Sequence, residues 1–123
     1  MLLKIVAESS NPSSIALAGR LDSSTAPELE AVLDRVLKNA RLPRLVFDLS
    51  KLEYLSSAGI RCFIRARKAI EPGGGKVAIV NPQPAVRKVL DIVKAIPAGG
   101  IFKDVAELDA YLDEMQRQVR ERD

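Results

Sequence analysis

Hydrophobic residues recur along the chain at two alternating spacings, and these spacings predict strands and helices in turn. Short apolar runs bounded by turn residues predict strands at 3–7, 15–21, 45–49, 76–80 and 101–102. Apolar residues three and four positions apart predict helices following Thr25, over 57–70, after Pro84 and after Asp104. Strands that alternate with helices are typical of an α/β domain. We therefore predict a mixed, mostly parallel sheet of four to five strands with about four helices, opening on a hairpin-like pair.

Local sequence signals place the ends of these elements. Thr25-Ala-Pro-Glu28 has the pattern of a capping box, in which the threonine hydroxyl bonds to the backbone at the glutamate. Asp104-Val-Ala-Glu107 has a similar pattern at the start of the last helix. The second predicted helix should stop at Glu71-Pro-Gly-Gly-Gly75. No linker or repeat divides the chain, so we expect one domain over 1–123, with the polar turns of 116–123 fraying.

The composition fits one compact domain. The 123 residues are 47% hydrophobic, which is enough for a single core. No apolar run approaches the roughly 20 residues needed to cross a bilayer, and the N-terminus lacks the cleavage site of a signal peptide. The single cysteine, Cys62, excludes an internal disulfide, and its place inside a predicted helix favours a buried apolar role. We expect a cytoplasmic protein with no direct membrane insertion.

Two features of the composition argue against common functions. The chain has no histidine, so the commonest general base and metal ligand are both missing. The net charge of +3 is modest, and the few aromatic residues mostly fall at predicted core positions, so nucleic-acid binding by stacking is not expected. These aromatics are Phe47, Tyr54, Phe63, Phe102 and Tyr111. The run Gly73-Gly-Gly-Lys76 lacks the spacing of a phosphate-binding loop and leads from a helix into a strand.

A serine pair is the clearest functional signal in the sequence. Ser56 and Ser57 lie where the approach of a buried strand gives way to the helix over 57–70, which places them at a helix N-terminus. Free backbone N–H groups and the helix dipole favour a negative charge there. A phosphoryl group on this serine pair would be accommodated, which is a property of a switch. The alternative is that one of the serines is only an N-cap.

Basic residues on the same helix suggest a contact surface. Arg61 lies four residues after Ser57, and Arg65 and Lys68 continue that stripe. Arg61 would pair with a phosphoserine, while the stripe would meet an acidic partner. An ordinary solvated helix face is the alternative interpretation.

A second polar loop should lie close to the serine pair. Asp22, Ser23 and Ser24 leave one predicted strand for a helix, as the segment from Ser50 to Gly59 leaves another. Since ligands of such sheets bind outside the carboxyl ends of the strands, both loops should share one rim. The alternative for the Asp22 loop is that it only shapes a turn.

Three segments of the chain resemble the STAS domain, which is shared by sulfate transporters and bacterial anti-sigma factor antagonists. The first resembles the glycine-x-leucine-aspartate loop and helix of that family, the second its phosphorylation loop, and the third its next strand and turn. They are Gly19–Leu29, Val46–Ile60 and Gly75–Pro82, and the ending Ile101–Leu108 also fits. Because these segments span nearly the whole chain, the resemblance concerns the domain and not one motif.

The resemblance implies a phosphorylation switch at Ser57, the serine two places before Gly59. In such antagonists the unphosphorylated protein binds an anti-sigma factor and frees the sigma factor. The anti-sigma factor is an ATP-dependent serine kinase that inactivates the antagonist by phosphorylation, and a separate phosphatase restores it. This chain departs from a common form of the loop, because Ser56 replaces an aspartate and Ala58 replaces a second serine.

Our leading hypothesis is an anti-sigma factor antagonist, not an enzyme, without cofactor or metal and present as a monomer or weak dimer. Its partners would be a kinase-type anti-sigma factor and a serine phosphatase. The expected partner-binding residues are Asp22, Ser23, Ser24, Ser56, Ser57, Ala58, Gly59, Arg61 and Arg65. A second hypothesis is a STAS adaptor subunit of a transport ATPase or signalling assembly, without regulation by phosphorylation. A third is a small nucleotide-binding or hydrolytic α/β protein.

Overall fold

The structure, a computed structural model, describes residues 3–8, 13–38, 42–95 and 105–122. Strands and helices alternate after an initial pair of strands. The order is β1 (Leu3–Glu8), β2 (Ser13–Leu21), α1 (Ala26–Val36), β3 (Arg44–Leu55), α2 (Ser57–Ile70), a 3₁₀ turn (Glu71–Gly73), β4 (Lys76–Val80), α3 (Pro84–Ala95) and α4 (Val105–Arg122). No helix in the described ranges is long and apolar enough to cross a membrane.

The four described strands form one mixed sheet in the order β1-β2-β3-β4. β1 and β2 are antiparallel, whereas β2 with β3 and β3 with β4 are parallel. This arrangement confirms the predicted α/β fold with its hairpin-like start. The short strand predicted at 101–102 lies outside the described residues.

β3 extends beyond the apolar run that predicts it. Two irregularities in its pairing with β2 break the alternation of apolar and polar residues, so the pattern does not reveal the full strand. Ala16 pairs with Asp48 but Ala18 pairs with Lys51, which leaves one extra residue in β3, and another extra residue follows Leu52. Each extra residue shifts the alternation of buried and exposed side chains. The segment 50–55 was therefore wrongly assigned to a loop: it is strand up to Leu55.

One hydrophobic core joins the sheet to the helices. Alternating residues of β2 and β3 are buried on one face, among them Ile15, Leu17 and Phe47, and apolar stripes of α1 and α2 complete the same cluster. The Cys62 thiol is buried there and donates a hydrogen bond to Glu30. Burial, together with Glu30, raises the pKa of this thiol to about 12, which agrees with the predicted apolar role.

Two large apolar side chains of the predicted helices are partly exposed. Ile64 of α2 is 41% exposed and Tyr111 of α4 is 47% exposed. Each lies on a helix face that turns away from the buried stripe. The adjacent residues Phe63 and Leu112 belong to that stripe and are buried.

The predicted capping box at Thr25 is wrong. The Thr25 hydroxyl accepts a hydrogen bond from the Asp22 N–H and donates one to the Arg20 carbonyl, both at 2.9 Å, and makes no cap bond to α1. Its backbone is already helical, with φ −104° and ψ −19°, whereas an N-cap residue is usually extended. The similar pattern that begins at Asp104 lies outside the described residues.

The last helix continues beyond the position where we expected fraying to begin. α4 extends to Arg122, and Gln116 is fully buried and hydrogen-bonded to β3. Gln116 therefore does not belong to a solvated helix end. Fraying of the turns after it stays a prediction.

Gly59 lets α2 approach the sheet closely. A Cβ atom at this position would lie 2.6 Å from Leu21 Cγ and 2.6 Å from Leu55 Cδ1, far inside van der Waals contact. Both leucines are fully buried, so they cannot move aside without disturbing the core.

We predict that Gly59→Ala lowers the free energy of unfolding by about 1–3 kcal/mol, because the added methyl group overpacks the core. Gly73→Ala is the matched control, since a Cβ there meets no atom within 4 Å; its effect should stay within about 0.5 kcal/mol. Denaturant titration measures both. Equal stability of Gly59→Ala and wild type would contradict this close packing.

Candidate partner-binding site

Pairing of β2 with β3 brings the two polar loops together. Leu21 and Leu55 are partners in the register, and the Ser56 N–H donates to the Leu21 carbonyl at 2.9 Å. Asp22 follows Leu21 directly, and Ser57 lies two residues after Leu55. The Asp22 loop and the serine pair therefore lie side by side at one rim, as the sequence predicted.

Hydrogen bonds hold the Asp22 carboxylate in a turn. Its Oδ1 atom accepts from the Ser24 N–H at 3.0 Å, the Ser24 hydroxyl at 2.7 Å and the Thr25 N–H at 3.2 Å. Partial burial raises the pKa of Asp22, but these bonds from Ser24 and Thr25 outweigh it and hold the pKa below its ordinary value. Asp22 is thus a fixed negative charge, flanked by the exposed Ser23 and Ser24.

Arg20 and Tyr54 form the neighbouring part of the rim. The Arg20 guanidinium carbon lies 3.9 Å from the centroid of the Tyr54 ring, and its Nε lies 3.8 Å from Asp22 Oδ2. Burial and the negative charge of the nearby Asp113 carboxylate raise the pKa of Tyr54 to about 12. Tyr54 therefore remains protonated at neutral pH.

The hydroxyl groups of the serine pair are buried and unbonded. Ser56 and Ser57 are 4% and 7% exposed, and neither Oγ atom has a hydrogen-bond partner among the described residues. Ser56 occupies the N-cap position of α2 with an extended backbone, but its side chain makes no cap bond. An N-cap role, the simpler interpretation of this pair, is therefore not supported for either hydroxyl.

A carboxylate from α4 caps α2 instead. The Ser57 N–H donates to Asp109 Oδ1 at 2.9 Å. A negative group is favourable at this position because the first N–H groups of a helix are unsatisfied and the helix dipole is positive there. The N-terminus that we expected to favour a phosphoryl group is thus in contact with a carboxylate.

Gln116 of α4 completes the hydrogen bonding at the end of β3. Its side-chain amide accepts from the Leu55 N–H and donates to the Leu55 carbonyl, both at 2.9 Å. It also donates to the Leu112 carbonyl at 3.1 Å. The side chain replaces a neighbouring strand, so the buried polar groups of Leu55 are satisfied.

Arg65, one of the basic residues of the predicted stripe on α2, does not present a free positive charge. Arg65 forms ion pairs with Glu30 and Asp34 of α1, so its charge is neutralised within the domain. Arg61 is exposed and forms no ion pair with a described residue, and Lys68 is exposed at the far end of α2. An acidic partner would therefore meet a weaker positive surface than the sequence suggests.

An open groove between α1 and α2 begins beside the serine pair. It contains both charged and small side chains, and it joins the Asp22 loop to the start of α2. The lining residues are Ser23, Ala26, Pro27, Glu30, Ala31, Asp34, Ala58 and Arg61. Of the remaining predicted site residues, Ser56 and Gly59 are buried in the packing of α2 on the sheet.

Sequence reasoning missed three side chains of this site. Tyr54 was assigned to the core alone, Gln116 to a fraying end, and Asp109 to no role. A weak signal existed for the α4 residues, because Asp109, Asp113 and Gln116 share one face of a helix that also carries buried Leu112 and Met115. In the described residues no cluster of three acidic or cysteine ligands is placed to hold a metal ion.

Comparisons with known proteins define the class. A model of the STAS domain matches residues 4–108, and the chain therefore belongs to the STAS domain family. It is 26% identical over 89 residues to the anti-sigma F factor antagonist of Paenibacillus polymyxa, covering 72% of this chain and 71% of that protein. It is 38% identical over 77 residues to BtrV of Bordetella bronchiseptica, provisionally named an anti-sigma factor antagonist, covering 62% and 65% of the two chains.

Solved structures agree with this assignment. The fold is similar to that of an anti-sigma factor antagonist from Mycobacterium paratuberculosis, with a TM-score of 0.67 and 27% identity. The match covers 75% of this chain and 78% of that chain. The resemblance found in the sequence is confirmed at the level of the family and its fold.

The Asp22 turn predicts a pH dependence. Because the folded pKa of Asp22 is lowered, its charge stabilises the protein fully above the unfolded value of about 3.8, and this contribution is lost as the pH falls through the lower folded pKa. Wild type should therefore be more stable than Asp22→Asn at neutral pH, and the difference should shrink under acid. Unfolding titrations from pH 7 to about pH 2.5 test this; a difference that stays constant would contradict it.

The unbonded serine hydroxyls predict the effect of their removal. Ser56→Ala and Ser57→Ala should each unfold at wild-type or higher denaturant concentration, because a buried hydroxyl without a partner costs free energy. Thr25→Val is the control, since it deletes a hydroxyl with two good hydrogen bonds and should cost about 1–3 kcal/mol. A loss of about 1 kcal/mol on Ser56→Ala or Ser57→Ala would restore the N-cap interpretation.

Proposed function

We propose that this chain is an anti-sigma factor antagonist: a binding protein, not an enzyme, that holds a kinase-type anti-sigma factor while Ser57 is unphosphorylated. Phosphorylation of Ser57 by that partner would end the complex, and a serine phosphatase would restore it. The proposed contact surface consists of the Asp22 loop, the start of α2 and the groove between α1 and α2. Binding needs no cofactor.

The observation that carries this proposal is the position of Ser57. It lies at the first turn of α2, one residue from the backbone bond that joins Ser56 to Leu21, and therefore beside the Asp22 loop. A phosphoryl group adds a charge of roughly −1.5 to −2 at the rim that already carries the ionised Asp22 carboxylate. A partner that accommodates one carboxylate at this rim would then face a concentrated negative charge.

The similarity to named antagonists supports the same function. The relatives from Paenibacillus polymyxa and Bordetella bronchiseptica and the Mycobacterium paratuberculosis structure all carry that name. The likeness includes the segment that holds Ser57, since the family match runs from residue 4 to residue 108.

Exposure and position together distinguish the proposed contact residues from the packing residues. Ser23, Ser24 and Arg61 are exposed, and we assign them to the contact surface together with Asp22. We include Ser57, although it is only 7% exposed, because it lies at the start of α2 beside the Asp22 loop. Ser56 and Gly59 are buried, and we assign them to the packing that positions Ser57, whereas Ala58 packs there and also lines the groove. Arg65 contributes by holding α1 against α2 through its ion pairs.

Local electrostatics are sufficient for the switch. A difference of about 3 kcal/mol between the two forms changes partner affinity more than a hundredfold. Repulsion and desolvation of a phosphoryl group inside an interface are of this order.

We predict that the tagged protein captures a histidine-kinase-like ATPase from its native cells, and that Ser57→Asp weakens this partner in titration calorimetry by about a hundredfold. Ser57→Ala should bind as wild type does. Ala69→Asp, an equal charge at the far end of α2, is the control and should leave affinity unchanged. Equal affinity of Ser57→Asp and wild type would count against the switch, and capture of a transporter subunit would favour an adaptor role.

A further inference from the structure

Three polar side chains of α4 hold the segment that carries Ser57. Asp109 accepts from the Ser57 N–H, Gln116 pairs with both backbone groups of Leu55, and the Asp113 carboxylate lies near Tyr54 and helps to raise its pKa. Positions 109, 113 and 116 share one face of a helix because their spacing of four and three residues follows its period. We call Asp109, Asp113 and Gln116 the α4 clasp.

The clasp lies beyond the part of the chain that matches the family. The match ends at residue 108, one position before Asp109. Because its three residues lie outside that match, the clasp is inferred from the contacts of this chain alone.

With the clasp closed, Ser57 is not in a state that a kinase can use. Its Oγ atom is buried and without a partner in the described part of the chain. Phosphoryl transfer needs this oxygen in line with the γ-phosphorus of ATP. The transfer forms the Oγ–P bond and breaks the bond from that phosphorus to the β–γ bridging oxygen. ADP leaves, and a base of the kinase takes the hydroxyl proton.

The N-terminus of α2 also cannot serve two anions equally well. The Asp109 carboxylate already accepts from the Ser57 N–H, which is among the groups that would favour a phosphate on the same residue. A phosphorylated Ser57 would compete with Asp109 for these donors and repel it. Displacing Asp109 pulls on the same helix face that carries Gln116.

The packing of α4 suits a movable element. Leu112 and Met115 are buried, but most of the polar positions around them are exposed, including Asp113, Glu114 and Arg117. A helix held by few apolar side chains and a few polar bonds opens at a lower free energy than the core.

We propose that α4 gates Ser57: the closed clasp covers the hydroxyl, release of α4 exposes it to the kinase, and the phosphate then keeps Asp109 from closing again. This gate rests on the proposed function, since it regulates the same phosphorylation site. Phosphorylation of Ser57 would then change the position of α4 as well as the charge at the rim.

Chemical labelling tests whether the clasp covers position 57. In a Cys62→Ser background, Ser57→Cys is treated with N-ethylmaleimide, alone and combined with Gln116→Ala. The protein that carries both Ser57→Cys and Gln116→Ala should react about tenfold faster than the one with Ser57→Cys alone, because α4 has lost its bonds to Leu55. Gln118→Ala is the matched control: Gln118 lies on α4 but bonds to Glu114 and not to β3, and its removal should not change the rate. Equal rates with and without Gln116→Ala would overturn the gate.

Hydrogen exchange tests the competition between the two charges. Ser57→Asp should speed amide exchange in α4 by about tenfold, and adding Asp109→Asn should restore most of the protection, because asparagine keeps the accepting oxygen without the charge. Adding Asp91→Asn, an exposed carboxylate on α3, is the control and should restore nothing. Unchanged exchange in Ser57→Asp, or rescue by both substitutions alike, would overturn the competition.

These experiments distinguish a failure of the α4 gate from a failure of the proposed phosphorylation switch. If the labelling and exchange results fail while Ser57→Asp still releases the partner, the gate is wrong and the switch stands. If both succeed while Ser57→Asp binds the partner as wild type does, α4 covers Ser57 for another reason and the proposed switch is wrong.

Discussion

The parallel pairing of β2 with β3 is the constraint on which the site depends. It continues to the last residues of both strands, where Leu21 faces Leu55, and so fixes the Asp22 loop beside the serine pair. The two extra residues in β3 change which side chains face the core along the way. Gly59 then allows α2 to start directly over these two leucines. The position of Ser57 is thus set by backbone pairing and close packing before any polar contact is made.

The far half of β3 shows how the fold satisfies polar backbone groups without another strand. β4 pairs with β3 only as far as Asp48, and in the described part of the chain side-chain amides take over from there. Gln83 donates to the Ser50 carbonyl at 2.9 Å, and Gln116 binds both groups of Leu55. These contacts tie α4 and the residue just before α3 to the strand that leads to Ser57. The need to satisfy the buried backbone groups of β3 therefore connects the C-terminal part of the chain to the segment that carries Ser57.

Much of the fold follows from the sequence because local patterns and tertiary packing agree. The helix over 57–70 and the strand at 76–80 have the predicted bounds, since apolar spacing and the following glycines and proline all indicate the same ends. The shared rim was also predictable, because strands that run parallel end at the same edge of a sheet. The STAS family could be recognised from three segments that together span most of the domain.

Other features depend on partners that are distant in the sequence. The shift in β3 reverses the alternation after Leu49, so a period of two cannot be followed through it. Gln116 is a polar residue in a polar helix end, and only its distant contact with Leu55 shows why it is buried. Arg65 reads as part of a basic stripe until α1 places two carboxylates against it. Thr25 has the residue type of a cap, but its hydroxyl bonds to the Asp22 turn instead.

The central claim is that Ser57 is the residue at which this domain is switched, and phosphorylation in the native cell tests it most directly. The protein would be isolated with phosphatases inhibited and digested with trypsin, which cleaves after Lys51 and Arg61 and leaves both serines in one peptide. Fragment spectra then distinguish Ser57 from Ser56. We predict phosphate on Ser57 in an amount that changes with growth condition. Phosphate on Ser56 instead, or none under any condition with the peptide well detected, would contradict the account.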